Sequence, residues 1–178
     1  MPEVLIVGGH LDEPPMFSIP ILTAYALASM NWGRLEQQLD MALITVNKEY
    51  FSPAKARITP NTSFRMKLDL FNDWFVKDPR FEEFHAVARR LCKSLKHANE
   101  DRILLIHSNL QKFEEGPPLT MEVVNIHTTN GNVIQQRAVW TVEQIEKVAD
   151  SFNRLNHGLR LITERVLTME FLRSLEKG

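Results

Sequence analysis

Cysteine is nearly missing from this chain: Cys92 is the only one among 178 residues. No intrachain disulfide can form, and no cysteine-rich zinc site exists. An excess of charge is missing too. Lys and Arg total 21 against 22 Asp and Glu, a net charge of −1, so no global field draws in nucleic acid or an acidic membrane. An anionic partner has to be held by a local patch. Long apolar runs are also lacking. The longest, around Ile19 to Met30, is interrupted by Thr23 and Tyr25 and falls short of the roughly 20 residues of a membrane span. Met1-Pro2-Glu3 carries no basic n-region, and Val4 to Val7 is too short for a signal peptide. A cytoplasmic protein without a membrane partner is the expectation. No Walker, Ser-His-Asp or Cys-His pattern is present. The pair Glu82-x-x-His85 lacks the second such pair that a helical di-iron site needs. Neither a metal nor a cofactor is expected.

What is present is ordinary globular composition, with 44% apolar and 24% charged residues, enough to bury a core without staples. Residues 1–16 read as an irregular, loosely docked arm. Val4-Leu5-Ile6-Val7 is a possible short strand, but Gly8-Gly9 completes no G-x-G-x-x-G, and Pro14-Pro15 follow where a helix would begin. Residues 17–178 read as a single helical-bundle domain.

From Ser18 the spacing turns helical. Ile21, Tyr25, Ala28, Trp32, Leu35, Leu39, Ala42 and Val46 recur every three or four residues, a helix of about 40 Å. Ser52-Pro53 opens a short turn that Pro60 closes. Asn61-Thr62-Ser63 offers caps for a helix burying Phe64, Leu68, Phe71, Trp74 and Phe75. Asp78-Pro79 starts the next, with Phe81, Phe84, Ala88, Leu91 and Leu95 inward and Arg89, Arg90, Lys93 and Lys96 outward. A further helix is expected from Asn99 to about Phe113, its stripe Ile103, Ile106, Leu110 and Phe113, and apolar nearly all round. Such a helix is either central or covered by a second subunit.

Gly116-Pro117-Pro118 breaks the chain and the period changes. Val124, Ile126 and Thr128 alternate with polar residues, Asn130-Gly131 follows, and Val133 to Trp140 is β-rich. This spacing predicts an inserted β-hairpin over about residues 121–140. Thr141 and Gln144 form a capping box ahead of the stripe Ile145, Val148, Phe152, Leu155, Leu159, Ile162, Val166 and Met169. Continuous, that helix spans about 50 Å. Either Asn156-His157-Gly158 bends it, or its far half packs on another chain. The expected fold is therefore an all-α, up-down bundle of five or six helices with one inserted hairpin, forming a homodimer.

One motif carries potential chemistry: Arg102-Ile-Leu-Leu-Ile-His107. Upstream lie Trp32, Leu35 and Glu36 as W-x-x-L-E, and Ser63-Phe64-x-x-Lys67. The arrangement, over roughly residues 18 to 176, resembles a group of bacterial helical proteins whose R-x4-6-H helix looks like that of HEPN domains. The resemblance implies a dimerising helical bundle and, in many such domains, a metal-independent endoribonuclease of toxin–antitoxin or antiphage systems. Implied partners are RNA and a protein antitoxin. On this resemblance His107 is the base or acid and Arg102 the phosphate holder, with Asn99 and Asp101 as supports. Histidine exchanges protons near neutrality, and the arginine fork suits charge developing on a phosphate. The basic row Arg89, Arg90, Lys93 and Lys96 is the candidate RNA-backbone contact, or a solvated face.

Two features stand against this chemistry. Five residues along a helix turn through about 140°, so on one continuous helix Arg102 and His107 diverge, and a dimer seam would have to bring two copies of the motif together. HEPN motifs also usually carry a polar residue directly after the arginine, where this chain has Ile103. The alternative is a non-catalytic helical dimerisation or partner-binding module, with Arg102 paired to Glu100, Asp101 or another acid and His107 a hydrogen-bonded residue at the core edge.

Overall fold

The computed structural model describes residues 18–51, 57–59, 61–114, 116–129 and 132–175, with side chains left aside at 129 and 170–175. The arm of residues 1–16, the Ser52-Pro53 cap, Pro60 and the Asn130-Gly131 turn lie outside the described residues. Among those described, the order is α1 (Ile19–Tyr50), α2 (Phe64–Asn72), a π-helical turn (Asp73–Lys77), a 3-10 turn (Pro79–Phe84), α3 (His85–Ile106), β1 (Asn109–Glu114), β2 (Thr120–Thr129), β3 (Asn132–Thr141) and α4 (Val142–Leu175). Four α-helices and a three-stranded antiparallel meander, ordered β1-β2-β3, make this an α+β fold. It corrects the all-α expectation of five or six helices.

Local sequence accounts for most element ends. The Ser63 side chain accepts a hydrogen bond from the Met66 amide and caps α2. The Asp78 carboxylate accepts from the Arg80 amide, with Pro79 at the first helical position. At the start of α4 the capping box closes reciprocally: the Gln144 amide donates to Thr141 Oγ1 at 3.2 Å, and the Thr141 amide donates to Gln144 Oε1 at 2.9 Å.

The core is one cluster. α1 buries Ile21, Ala28, Trp32, Leu35, Leu39, Ala42 and Val46; α4 buries Ile145, Phe152, Leu159 and Val166. Between them sits an aromatic seam in which Trp32 meets Phe64 at 4.8 Å and Phe152 at 5.2 Å between ring centroids. A second group, Phe71, Phe75 and Phe81, closes the other end.

The bundle is not up-down. Asn31 Nδ2 donates to the Ala149 carbonyl at 3.0 Å, and further along α1 the Tyr50 hydroxyl donates to the Val166 carbonyl at 3.5 Å. Both chain positions increase together, so α1 and α4 run side by side in the same direction. α2, α3 and the sheet form the long crossover that a parallel pair requires.

α4 is helical through Gly158, so the bend allowed there does not occur. This glycine serves packing instead. A Cβ added to it would come 2.9 Å from Leu91 Cδ2, so its absence lets α4 approach α3 closely.

The helix expected over Asn99–Phe113 is also corrected. No break occurs near Asn99, and α3 runs on to Ile106. The chain then leaves the helix. His107 has φ −100° and ψ 3°. The Ile103 carbonyl accepts from the Ser108 hydroxyl and the Asn125 side-chain amide, and the Ile106 carbonyl accepts from the Tyr25 hydroxyl. The last turn's carbonyls thus find partners outside the helix. Leu110 and Phe113 belong to β1, where they pair with Val123 and Met121 across a bulge between Leu110 and Lys112. The bulge puts two residues spaced by three on one sheet face, a spacing indistinguishable from one helical turn.

Candidate functional site

The motif residues from three separated segments converge. Trp32, Glu36 and Asp40 recur every fourth residue and so line one edge of α1. Phe64 and Lys67, three apart on α2, face them. Phe64 packs on Trp32. Lys67 Nζ lies 3.0 Å from Glu36 Oε1 and 2.9 Å from Asp40 Oδ1, with the lysine only 1% exposed. Burial works against its charge, but hydrogen bonds to Asp40 and Glu36 outweigh that and raise the lysine's pKa.

Arg102 reaches the same cluster from α3. Its guanidinium sits 5.1 Å from the centre of the Trp32 ring, a cation–π placement, and Nη1 donates to Asn99 Oδ1 at a long 3.4 Å. Among the described residues no carboxylate stands within ion-pair distance of it, so pairing with Glu100 or Asp101 is not the arrangement found. Its Nε and the Trp32 Nε1 are buried donors that find no hydrogen-bond partner among the described residues. Burial lowers the Arg102 pKa from its ordinary value, with Glu36 opposing, yet a guanidinium stays charged at any relevant pH.

His107 is exposed at the C-terminal end of α3. Its amide bonds to the Arg102 carbonyl at 3.3 Å. The residue is placed by the helical residues before it, and its φ of −100° turns the side chain only modestly from the helical direction, so most of the divergence of about 140° from Arg102 remains. Burial of part of the ring and the charge of Arg102 lower its pKa below 6.5, with Glu36 pulling the other way. The charges of Arg102 and Glu36 are thus both felt at His107.

The remaining sequence candidates divide. Asn99 does support Arg102. Asp101 does not. Its pKa is raised by burial and then by Glu100, with His97 acting the other way. Arg89, Arg90, Lys93 and Lys96 are all exposed, but on one continuous α3 they point about 120–180° away from Arg102, so the structure does not gather them around the motif. Among the described residues no group of three or more His, Cys, Asp or Glu is placed to hold a metal. His85 Nε2 lies instead 3.0 Å from the Asp78 carbonyl. A cleft of about 460 Å³ opens between α3 and the sheet, lined by Glu100, Ile103, Leu104, Asn125, His127 and Gln136; none of the cluster residues lines it.

Glu36, Asp40 and Lys67 were not assigned as site residues from sequence. The signal existed in W-x-x-L-E and S-F-x-x-K, whose charged members prove to be each other's partners. Comparisons with protein-family models, curated proteins and solved structures found no match. No described helix is long and apolar enough to cross a membrane.

Proposed function

We propose that the Arg102–His107 cluster acts on the phosphodiester backbone of RNA, as a HEPN-like, metal-independent endoribonuclease of a toxin–antitoxin or defence system. The observation that carries this reading is the state of Arg102. It is a half-buried guanidinium held over an indole, with a buried Nε donor and no carboxylate within ion-pair distance among the described residues, and its charge is felt at the exposed His107. Unpaired buried donors cost about 1–3 kcal/mol each, a cost that an anionic ligand would relieve.

The chemistry follows from the groups present. His107, kept neutral near pH 7 by its lowered pKa, takes the proton of a ribose 2′-hydroxyl. The 2′-oxygen attacks phosphorus while the bond to the 5′-oxygen breaks and the leaving oxygen takes up a proton from water. Arg102 binds the charge that builds on the non-bridging oxygens. Lys67 offsets one of the two carboxylate charges of Glu36 and Asp40, which reduces the repulsion of a phosphate by the acidic edge of α1. The two groups diverge around α3, so this reading needs either the reach of the arginine side chain or a second copy of the motif to bring both onto one phosphate.

Binding of a short fluorescein-labelled single-stranded RNA, followed by anisotropy, tests the contact. Arg102→Ala is expected to weaken binding about tenfold or more, as for a lost charge-assisted contact, and Lys93→Ala to leave it nearly unchanged. Equal binding by wild type and Arg102→Ala would remove the reading. A second reading, a non-catalytic partner-binding module, is favoured by the basic row pointing away from Arg102. It expects no loss of RNA binding in Arg102→Ala.

A further inference from the structure

The two edges of the sheet are built differently. β1 is short, carries a bulge and bears an ion pair between Lys112 and Glu114. These are the usual devices that stop an edge from recruiting another strand. β3, the opposite edge, is neither short nor bulged, and its ion pair, Arg137 with Glu122 at 3.6 Å, runs across to β2 and not along the edge. It runs for ten residues, Asn132–Thr141, in unbroken register with β2, and contains no proline, no lysine and no acidic residue. Every residue from Asn132 to Arg137 is exposed. Val133 is 73% and Val139 58% exposed, and Ile126 on β2 is 59% exposed. The sheet's base packs on the bundle through Met121 and Val123, while the half bearing Ile126, Val133 and Ile134 projects beyond it. A projecting hairpin whose outer edge is apolar and, among the described residues, unpaired is marginal alone in water.

We infer that β3 pairs antiparallel with β3 of a second copy of this chain, centred on Gln136, to form a continuous six-stranded sheet across a homodimer.

The β3 sequence selects both the partner and the register. For the two inner faces to lie on the same side, residues of equal parity must face one another. Centring on Gln136 places Val133 opposite Val139 of the second copy and Gln135 opposite Arg137, each pair occurring twice. Apolar meets apolar, and the one charge of the strand meets an amide. Centring on Arg137 would set two guanidinium groups opposite each other, which is destabilising. Centring on Gln135 would set Val133 against Arg137 and shorten the pairing.

The backbone agrees. Thr129 and Asn132 pair with two residues between them, which makes theirs the hydrogen-bonded kind of pair for a two-residue hairpin. Alternation then turns the N–H and C=O groups of Val133, Gln135, Arg137 and Val139 towards the free edge, where this register uses them. The antiparallel arrangement also carries each projecting tip alongside the supported base of the other copy.

Because Gln136 faces its own copy at the axis, a charge placed there meets itself. The test is sedimentation equilibrium of the full chain across about 1–100 μM. Wild type is expected to dimerise. Gln136→Lys and Gln136→Glu, both at an exposed position, are each expected to weaken dimerisation at least tenfold while circular dichroism stays unchanged. An equimolar mixture of the two variants is expected to restore dimers. A monomeric wild type overturns the proposal, including a monomer whose β3 amides are protected from exchange by residues 4–7 of the same chain. Variants that dimerise as tightly as wild type, or a mixture that does not recover, overturn it as well.

Discussion

Lys67 Nζ and Glu36 Oε1 stand 3.0 Å apart, joining the second helix to the first through a charge pair that reaches into the interior. The lysine is almost wholly buried, while Glu36 and Asp40 keep contact with water. Removing the lysine leaves two carboxylates facing one another in a half-dry site. Lys67→Met is expected to lower unfolding free energy by about 3 kcal/mol, the cost of breaking a buried pair, in urea titrations. The double variant Glu36→Gln, Lys67→Met is expected to recover part of that loss. Equal stability of wild type and Lys67→Met would contradict the pairing. Because the Lys67 pKa is raised, this stabilisation is fully present below about pH 10.5 and is lost as pH rises through the folded-state value.

Two glycines within helices are expected to respond differently to alanine. Gly33 is exposed and a Cβ there meets nothing within 4 Å, so Gly33→Ala should stabilise by about 1 kcal/mol through helix propensity. At Gly158 the new methyl runs into Leu91, and the gain is expected to be largely cancelled. In a Leu91→Ala background Gly158→Ala should regain close to the full gain of about 1 kcal/mol. Equal effects of Gly158→Ala in the two backgrounds would contradict the contact.

His107 sets a pH dependence. Its folded-state pKa lies below 6.5, so between that value and 6.5 the unfolded chain binds more protons than the folded one. Stability then rises with pH through this window and falls on acidification. An NMR titration of the His107 ring should place its midpoint below 6.5, and His107→Ala should flatten the stability profile there. A midpoint at or above 6.5 would contradict the arrangement of Arg102 and burial around the ring.

Asp101 and Asn99 are expected to separate. The Asp101 charge is disfavoured by burial and by Glu100, so Asp101→Asn should stabilise the protein by up to about 0.5 kcal/mol near neutral pH and leave cleavage within about twofold of wild type. Asn99→Ala, which removes the support of Arg102, should reduce cleavage by more than that. The reverse order would return Asp101 to the site.

The periodic stripes of α1 and α4 and the capping box at Thr141 were legible because each is a local code, read from spacing alone. The hairpin was legible for the same reason. β1 was not, because its bulge gives Leu110 and Phe113 the spacing of a helical turn. The join of α3 into one helix was hidden by Asn99, a cap-forming residue that serves Arg102 instead. The parallel course of α1 and α4 depends on which distant surfaces meet, and no window of sequence states that. For the site, Arg102 and His107 stood out from their motif. The cluster around Arg102 did not, because it depends on the α3 arginine reaching Trp32 of α1 and on Lys67 meeting Glu36 across 31 positions.

The most direct test of the account is cleavage of a single-stranded RNA by the purified protein in EDTA, with wild type and His107→Ala side by side. The account predicts that wild type yields fragments ending in a 2′,3′-cyclic phosphate and that His107→Ala loses at least a hundredfold in rate, the usual contribution of a general base. No cleavage by wild type, or equal cleavage by both proteins, would contradict it.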